Sequence, residues 1–285
     1  MGKLQRISQI IGLFLGHGYL AVLASGHIYK GPFKGFCLPF LSCYACPMAI
    51  FSCPIGSLQH FMAIRTVPFL LFGFLGLVGL TLGRMSCGWL CPFGFLQDML
   101  YSIPGRKIEI PRALYNLKFL SLALLVFIIP FLTGAPWFSK LCPFGTLTAG
   151  IPWVLASVRT AETAQPAIAL GELGPLFVVK LVILAGFLVL FVKASRPFCQ
   201  TTCPLGALFS LFNRFSMVRL RVAEGCRNCG ACRTRCPMGL RVSHEANSRD
   251  CVRCLRCTSC KYVSVEIGFA DLLLGTGRKD AAKNG

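Results

Sequence analysis

Apolar residues along this chain fall in long blocks rather than with the short periods of an amphipathic helix or a strand. Four windows are nearly unbroken: Ser8–Ile28, Val67–Gly83, Leu117–Phe138 and Gly174–Val192. A hydrocarbon core of ~30 Å takes roughly 20 apolar residues per helix, so each window predicts a transmembrane helix. The second is short and gains length only by reaching back to Ile64. The first opens like a signal peptide, with Lys3 and Arg6 ahead of an apolar core. No convincing cleavage site follows it and further spans come after, so it predicts a retained helix.

Basic residues orient the spans. Arg84, Arg106, Lys107, Arg112 and Lys118 lie between the second and third windows, and the chain beyond Lys193 is denser still. The other connections carry less: Lys30, Lys34 and Arg65 after the first window, Lys140 and Arg159 after the third. The positive-inside rule then places both termini in the cytoplasm, with an even helix count. The fold class expected is an α-helical integral membrane protein of the cell inner membrane. Residues 1–212 form a four-helix transmembrane domain, 213–270 a cytoplasmic ferredoxin-like module and 271–285 a tail.

Composition sharpens this. The chain is 55% hydrophobic and 14% charged, and it holds 17 cysteines. That is too many for thiols serving as small core hydrophobes. Disulfides fit poorly, because the densest cysteines lie on the cytoplasmic side, where thiols stay reduced. Metal ligation remains.

From Cys226 the chain reads CRNCGACRTRCP, the C-x2-C-x2-C-x3-C-P run of bacterial ferredoxins, and CVRCLRCTSC follows from Cys251. In two-cluster ferredoxins the fourth thiolate of each run crosses to the other cluster. Cys226, Cys229, Cys232 and Cys260 are thus expected to hold one [4Fe–4S] cluster, and Cys251, Cys254, Cys257 and Cys236 a second. The second run departs from the pattern in its last spacing, two residues instead of three, and in Lys261 where proline is usual. Paired zinc sites also use C-x2-C, but normally separate the pairs by a longer loop. Arg227, Arg233, Arg235, Arg253, Arg256 and Lys261 interleave the module. Without aromatic platforms for bases they do not read as a nucleic-acid surface. They balance clusters of about −2 charge each. The formal +19 counts every cysteine as neutral and overstates the true charge.

Four of the remaining cysteines begin a Cys-Pro-x-Gly tetrapeptide: Cys53, Cys91, Cys142 and Cys203. Proline suits the first position of a short helix, whose N-terminus then faces the thiol and favours its ionised form. Helices two and four end on the cytoplasmic side, so Cys87, Cys91, Cys199 and Cys203 gather there, enough for a third cluster. Helices one and three deliver Cys43, Cys46, Cys53 and Cys142 to the opposite face, with Cys37 spare or substituting for one of them. For that group a fourth cluster, a thiol–disulfide pair and inert thiols all stand open, since only that face can be oxidising.

CGWLCPFGFLQDML (Cys87–Leu100) and CQTTCPLGALFSLF (Cys199–Phe212), followed by the ferredoxin tail, resemble the NapH/NosR-type membrane polyferredoxins. The resemblance covers roughly Met85 to Tyr262. It implies four transmembrane helices, a cytoplasmic iron–sulfur module, and electron traffic between quinones or cytoplasmic donors and a periplasmic oxidoreductase or cytochrome. FCLPFLSCYACPMAIFSCPIG (Phe36–Gly56) is richer in cysteine than that family leads one to expect.

The reading is an electron-transfer subunit of an oxidoreductase complex, quinol-dehydrogenase-like in that quinone redox is the one catalysis it leaves room for. No nucleotide-binding glycine loop and no nucleophile with its base is present. His17 and His27 on the first helix are candidates for haem or quinone contact, but at about 15 Å apart along a helix they cannot share one iron, which disfavours haem. Gln59/His60 and Gln97/Asp98 follow two cassettes at matching offsets and are candidate proton acceptors from a quinol. The competing function is a metal-reducing or assembly factor of polyferredoxin type, handling a soft cation such as copper. A redox sensor is a third class, and it lacks an output domain.

Overall fold

The computed structural model describes residues 2–19, 22, 29, 31–154 and 174–268. The first helix, α1 (Gly2–His17), is followed by a cysteine-rich extended segment and then by α2 (Pro54–Ala63). Next come α3 (Phe69–Thr81), α4 (Met85–Trp89) and α5 (Pro92–Tyr101). A 22-residue apolar helix, α6 (Arg112–Thr133), widens into π-type turns over Leu122–Ile128. Two short helices, α7 (Trp137–Leu141) and α8 (Pro143–Gly145), precede the 19-residue α9 (Pro175–Lys193). After α10 (Pro197–Thr201) and α11 (Pro204–Phe212) comes the C-terminal module: β1 (Val218–Val222), α12 (Ala231–Arg235), α13 (Val242–Glu245) and β2 (Val263–Ile267). Its two strands pair antiparallel, Val218 opposite Ile267 and Val222 opposite Val263.

The four-span expectation is met only in part. Among the described residues, α6 and α9 are long and apolar enough to cross a membrane. The window at residues 67–83 forms a 13-residue helix, α3, about 20 Å long at 1.5 Å per residue and short of a hydrocarbon core. Gly83, at φ +58°, turns the chain out of it. The window at residues 8–28 is helical to His17, and most of residues 20–28 lie outside the described part. The outward faces of these helices are apolar: Leu70 is 88% exposed on α3, Leu132 71% on α6 and Val182 66% on α9.

Each of the four Cys-Pro-x-Gly cassettes in the first 212 residues starts a helix. Cys53, Cys91, Cys142 and Cys203 are the residues immediately before α2, α5, α8 and α11, each in extended backbone with proline first in the helix. Proline's missing N–H costs nothing at that position, and its fixed φ is already helical. The core packs around these starts. Phe93 of α5 lies within 5.0–5.4 Å, centroid to centroid, of Phe144, Phe191 and Phe198.

Candidate iron–sulfur sites

The Cys-Pro-x-Gly glycine has a definite role. In all four cassettes its backbone N–H donates back to the cassette sulfur: Gly56 to Cys53, Gly94 to Cys91, Gly145 to Cys142 and Gly206 to Cys203. A side chain there would intrude on the space in front of the sulfur. A Cβ on Gly94 would lie 3.2 Å from the Cys87 carbonyl, and one on Gly206 would lie 3.1 Å from Nη2 of Arg84.

Cys87, Cys91, Cys199 and Cys203, all buried, border one small space with Arg84, Leu41 and Phe93. Two wholly buried guanidinium groups clamp it in a reciprocal arrangement. Arg84 stands three residues before Cys87, and its Nη2 donates to the carbonyl of Cys199 at 3.2 Å. Arg196 stands three before Cys199, and its Nη1 donates to the carbonyl of Cys87 at 3.4 Å. The repeat is therefore R-x2-C-x3-C-P-x-G, each arginine serving the other copy. In the sequence Arg84 counts only among the basic residues that orient the spans and Arg196 is not singled out; the shared offset from the cassette cysteine is the signal for their role. Gln97 adds a hydrogen bond from Nε2 to the Cys199 sulfur at 3.2 Å.

Asp98 binds Arg196 through both carboxylate oxygens, at 2.7 and 2.9 Å, and Arg256 at 2.6 Å. Burial alone would raise its pKa, but the two guanidiniums outweigh that and hold it below the usual carboxylate range. Engaged in this way, Asp98 is not a free proton acceptor. Gln59, wholly buried, donates to Ile55 and to the Ser139 hydroxyl, while His60 is exposed. His17 is buried edge-on to Phe144 at 5.5 Å, with the backbone carbonyl of Leu13 beside its ring. His27 lies outside the described residues.

In the C-terminal module, Cys226, Cys229, Cys232 and Cys260 border one pocket, with Cys257 at its edge. Cys260 reaches it through a 3-10 turn over Arg256–Ser259, in spite of the shortened spacing and of Lys261. Cys236, Cys251, Cys254 and Cys257 form the neighbouring group: Cys257 feels the charges of Cys251, Cys254 and Cys236. Burial pushes the Cys257 and Cys91 thiols up to about 12, so as free groups they stay protonated, and iron would have to displace the proton.

The loop Ser248–Arg256 seats the module on the Cys87/Cys91 cassette. Asn213 donates to the carbonyls of Ser248 and Cys251 at 2.8 and 2.9 Å. Trp89 Nε1 donates to the carbonyl of Arg253 at 3.0 Å. The buried Arg253 side chain reaches back to the Asn213 carbonyl at 2.5 Å and to the Ser216 hydroxyl. Gly88, next to Cys87, is so close to this loop that a Cβ would lie 2.4 Å from the Val252 carbonyl oxygen. Lys118 and Arg84 share Asp250.

On the other side, Cys43, Cys53 and Cys142 border a second small space with Leu41, Tyr44, Ser139 and Phe144. The structure does not bring Cys46 into it. Cys46 is wholly buried beside Ala49 and Ala149, its thiol bonded to Thr148 and to the N–H groups of Met48 and Ala49. Cys37 sits 3.3 Å from the Ser57 hydroxyl. The two spaces are not a membrane thickness apart: Leu41 borders both, and the rings of Phe93 and Phe144, one from each, are in contact.

None of the 17 cysteines is in a disulfide. Among the described residues no three His, Cys, Asp or Glu side chains converge as a single ion would require. Four sulfurs around one zinc at about 2.3 Å would be nearly in contact. Sulfurs facing one another across a small space, with a glycine N–H on each cassette sulfur and two buried guanidiniums beside the Cys87/Cys91/Cys199/Cys203 group, suit a larger group such as a cubane.

A family described as a 4Fe-4S binding domain matches residues 64–111, 115–159 and 176–222. An uncharacterized protein of Methanocaldococcus jannaschii is 28% identical over 231 residues, 76% of this chain and 87% of its own length. Protein NirI of Paracoccus denitrificans is 30% identical over 204 residues, covering 68% of this chain but 27% of NirI. The methylamine utilization ferredoxin-type protein MauN of Methylorubrum extorquens is 30% identical over 159 residues, 53% of this chain and 46% of MauN. No solved structure matches.

Proposed function

The chain belongs to the NapH/NosR-type polyferredoxins, iron–sulfur electron-transfer proteins that bind 4Fe–4S clusters, and from that premise we propose that its cysteine groups hold four such clusters in series. A 4Fe–4S cluster supplies one-electron redox chemistry with no bond to substrate made or broken. The protein's own residues do the rest. Cys226, Cys229, Cys232 and Cys260 form the outer end, and Cys236, Cys251, Cys254 and Cys257 come next. Cys87, Cys91, Cys199 and Cys203 follow, and the far-side cysteines around Cys43, Cys53 and Cys142 close the row.

The observation that carries this reading is contiguity. Neighbouring groups are separated by a single layer of residues: Cys257 between the first two, the Gly88–Val252 contact between the second and third, and Leu41 with the Phe93–Phe144 pair between the third and fourth. Such spacing serves electron hopping without a quinone or haem as bridge. Handling of one soft cation draws no comparable support, since among the described residues no three ligands converge as a single ion would require.

In this reading the protein lies in the inner membrane with both termini cytoplasmic. The apolar outer faces of α3, α6 and α9 meet lipid, α1 serves as a further span, and α3 is completed by tilt or local thinning of the bilayer. Lys3, Arg6, Arg235 and Arg256 line a cleft of about 500 Å³ that reaches Cys236. This cleft would steer an anionic cytoplasmic donor; a membrane-bound or extracytoplasmic oxidoreductase takes the far end.

The test is transmembrane electron flow. Protein purified without oxygen is placed in vesicles loaded with ferricyanide, and a reduced viologen that does not permeate is added outside. The expected result is bleaching of the internal ferricyanide at a rate well above that of empty vesicles. Rates equal to empty vesicles, with all clusters present, would refute the proposal.

A further inference from the structure

The two membrane-facing cysteine groups differ in number. In each cytoplasmic cassette a second cysteine stands four residues before the Cys-Pro pair; on the far side those positions hold Ala49 and Phe138. Cys53 and Cys142 therefore bring one sulfur each. Cys43 supplies a third, its sulfur 3.5 Å from where a Cβ on Gly145 would sit, within the other far-side cassette. No fourth cysteine borders this space; its polar border residues are Ser42, Tyr44 and Ser139, and the buried Ser42 hydroxyl has no hydrogen-bond partner among the described residues. The Ser139 oxygen already accepts from Gln59 at 3.1 Å.

Charge points the same way. An oxidised cubane with four thiolates carries about −2, and with three about −1. The cytoplasmic group has two wholly buried guanidiniums beside it. Among the described residues the far-side group has one half-buried ammonium near it, that of Lys34, which acts on Cys46 and on Cys43. Two buried cations suit the higher charge of four thiolates; one shared, half-buried cation suits a lower one.

We propose that Cys43, Cys53 and Cys142 hold a cluster whose fourth iron has no cysteine ligand and binds a small exogenous donor, a water-derived or soft anionic ligand, within reach of Tyr44 and Ser139. This rests on the reading that the far-side cysteines hold a cluster at all. It makes the far end a site that can bind and not only relay. A three-thiolate cluster also releases its unique iron on mild oxidation: the 2+ cubane gives one electron to ferricyanide, leaving a 1+ three-iron cluster and free Fe2+.

The test uses the full-length protein in lipid nanodiscs, prepared anaerobically. Iron and sulfide are counted in Cys43→Ala, Cys53→Ala, Cys142→Ala and Cys46→Ala. The first three are expected to lose about four irons each and the last none, with the ferredoxin signals unchanged as the control for folding. In the wild type, cyanide is expected to alter one cluster's electron paramagnetic resonance signal. Stoichiometric ferricyanide should convert that same cluster to a three-iron form that Fe2+ together with one electron from dithionite restores. Loss of a cluster in Cys46→Ala, or no response to cyanide, would overturn the open-iron inference while leaving the far-side cluster in place. Full iron in all four variants would overturn both.

Discussion

Replacing Arg84 by glutamine removes one of the two positive charges beside the quartet of Cys87, Cys91, Cys199 and Cys203 without opening a path for water. The Arg84 guanidinium is wholly buried. It donates to the carbonyls of Cys199 at 3.2 Å, Asp250 at 3.1 Å and Arg249 at 3.3 Å, and it lies 3.9 Å from the Asp250 carboxylate. Taking ~6 Å to the centre of the quartet and an effective dielectric constant of about 20, its attraction for one added electron is roughly 2.8 kcal/mol. A one-electron couple shifts ~59 mV for every 1.36 kcal/mol, so the loss is worth about 120 mV. Asp250 offsets part of this, because its carboxylate opposes Arg84 in the native protein and keeps Lys118 as partner in the variant. The expected result is a fall of about 60–120 mV in the midpoint potential of one cluster. It is read by redox titration with electron paramagnetic resonance on protein of full iron content. Arg112→Gln is the control: that arginine is 63% exposed and paired with Glu245 at 2.6 Å, where screening by water leaves little effect. An unchanged or raised potential in Arg84→Gln with its cluster intact would refute the electrostatic role.

The other predictions follow from neighbouring contacts. Asp98→Asn leaves the buried Arg196 and its neighbour Arg256 without a carboxylate and should cost about 3–5 kcal/mol, seen as a lower denaturant midpoint. The folded pKa of Asp98 is depressed, so its contribution is complete at neutral pH and is lost as pH falls below about 4 through the folded value; stability that does not change on acidification in wild type relative to Asp98→Asn would contradict this. Gly88→Ala drives a methyl against the Val252 carbonyl oxygen, a backbone atom that cannot rotate away; iron should be retained while magnetic coupling between the second and third clusters weakens. Cys260→Ala should remove about four irons, with the signal of the Cys236 cluster preserved, since Cys260 borders only the outer pocket.

Much of the site was legible in the chain because cysteine spacing is a short-range signal. C-x2-C-x2-C-x3-C and Cys-Pro-x-Gly each lie within one turn or one helix start, so local geometry alone brings their sulfurs near a common point. What could not be read was set by long-range packing. Cys46 lies three residues from Cys43, yet its thiol turns to Thr148 and joins Ala49 and Ala149; no local pattern records that choice. The reciprocal use of Arg84 and Arg196 depends on the two cassettes facing each other across 109 to 115 residues of chain. Asp98, a proton acceptor by offset alone, is claimed by Arg256 from 158 residues away. The span count is met only in part, for a local reason: residues 67–83 look like a membrane window by composition, but α3 ends at Thr81 with Leu82 as its cap, and Gly83 at φ +58° turns the chain toward Arg84 and the quartet.

The central claim is that thiolates from separate cassettes share one cluster, and the most direct measurement is the iron and acid-labile sulfide content of Cys199→Ala against wild type, both purified anaerobically. The expected result is a loss of about four irons and four sulfides per chain, with the ferredoxin signals intact and Cys87→Ala giving the same loss. Iron content equal to wild type in both variants would contradict the account.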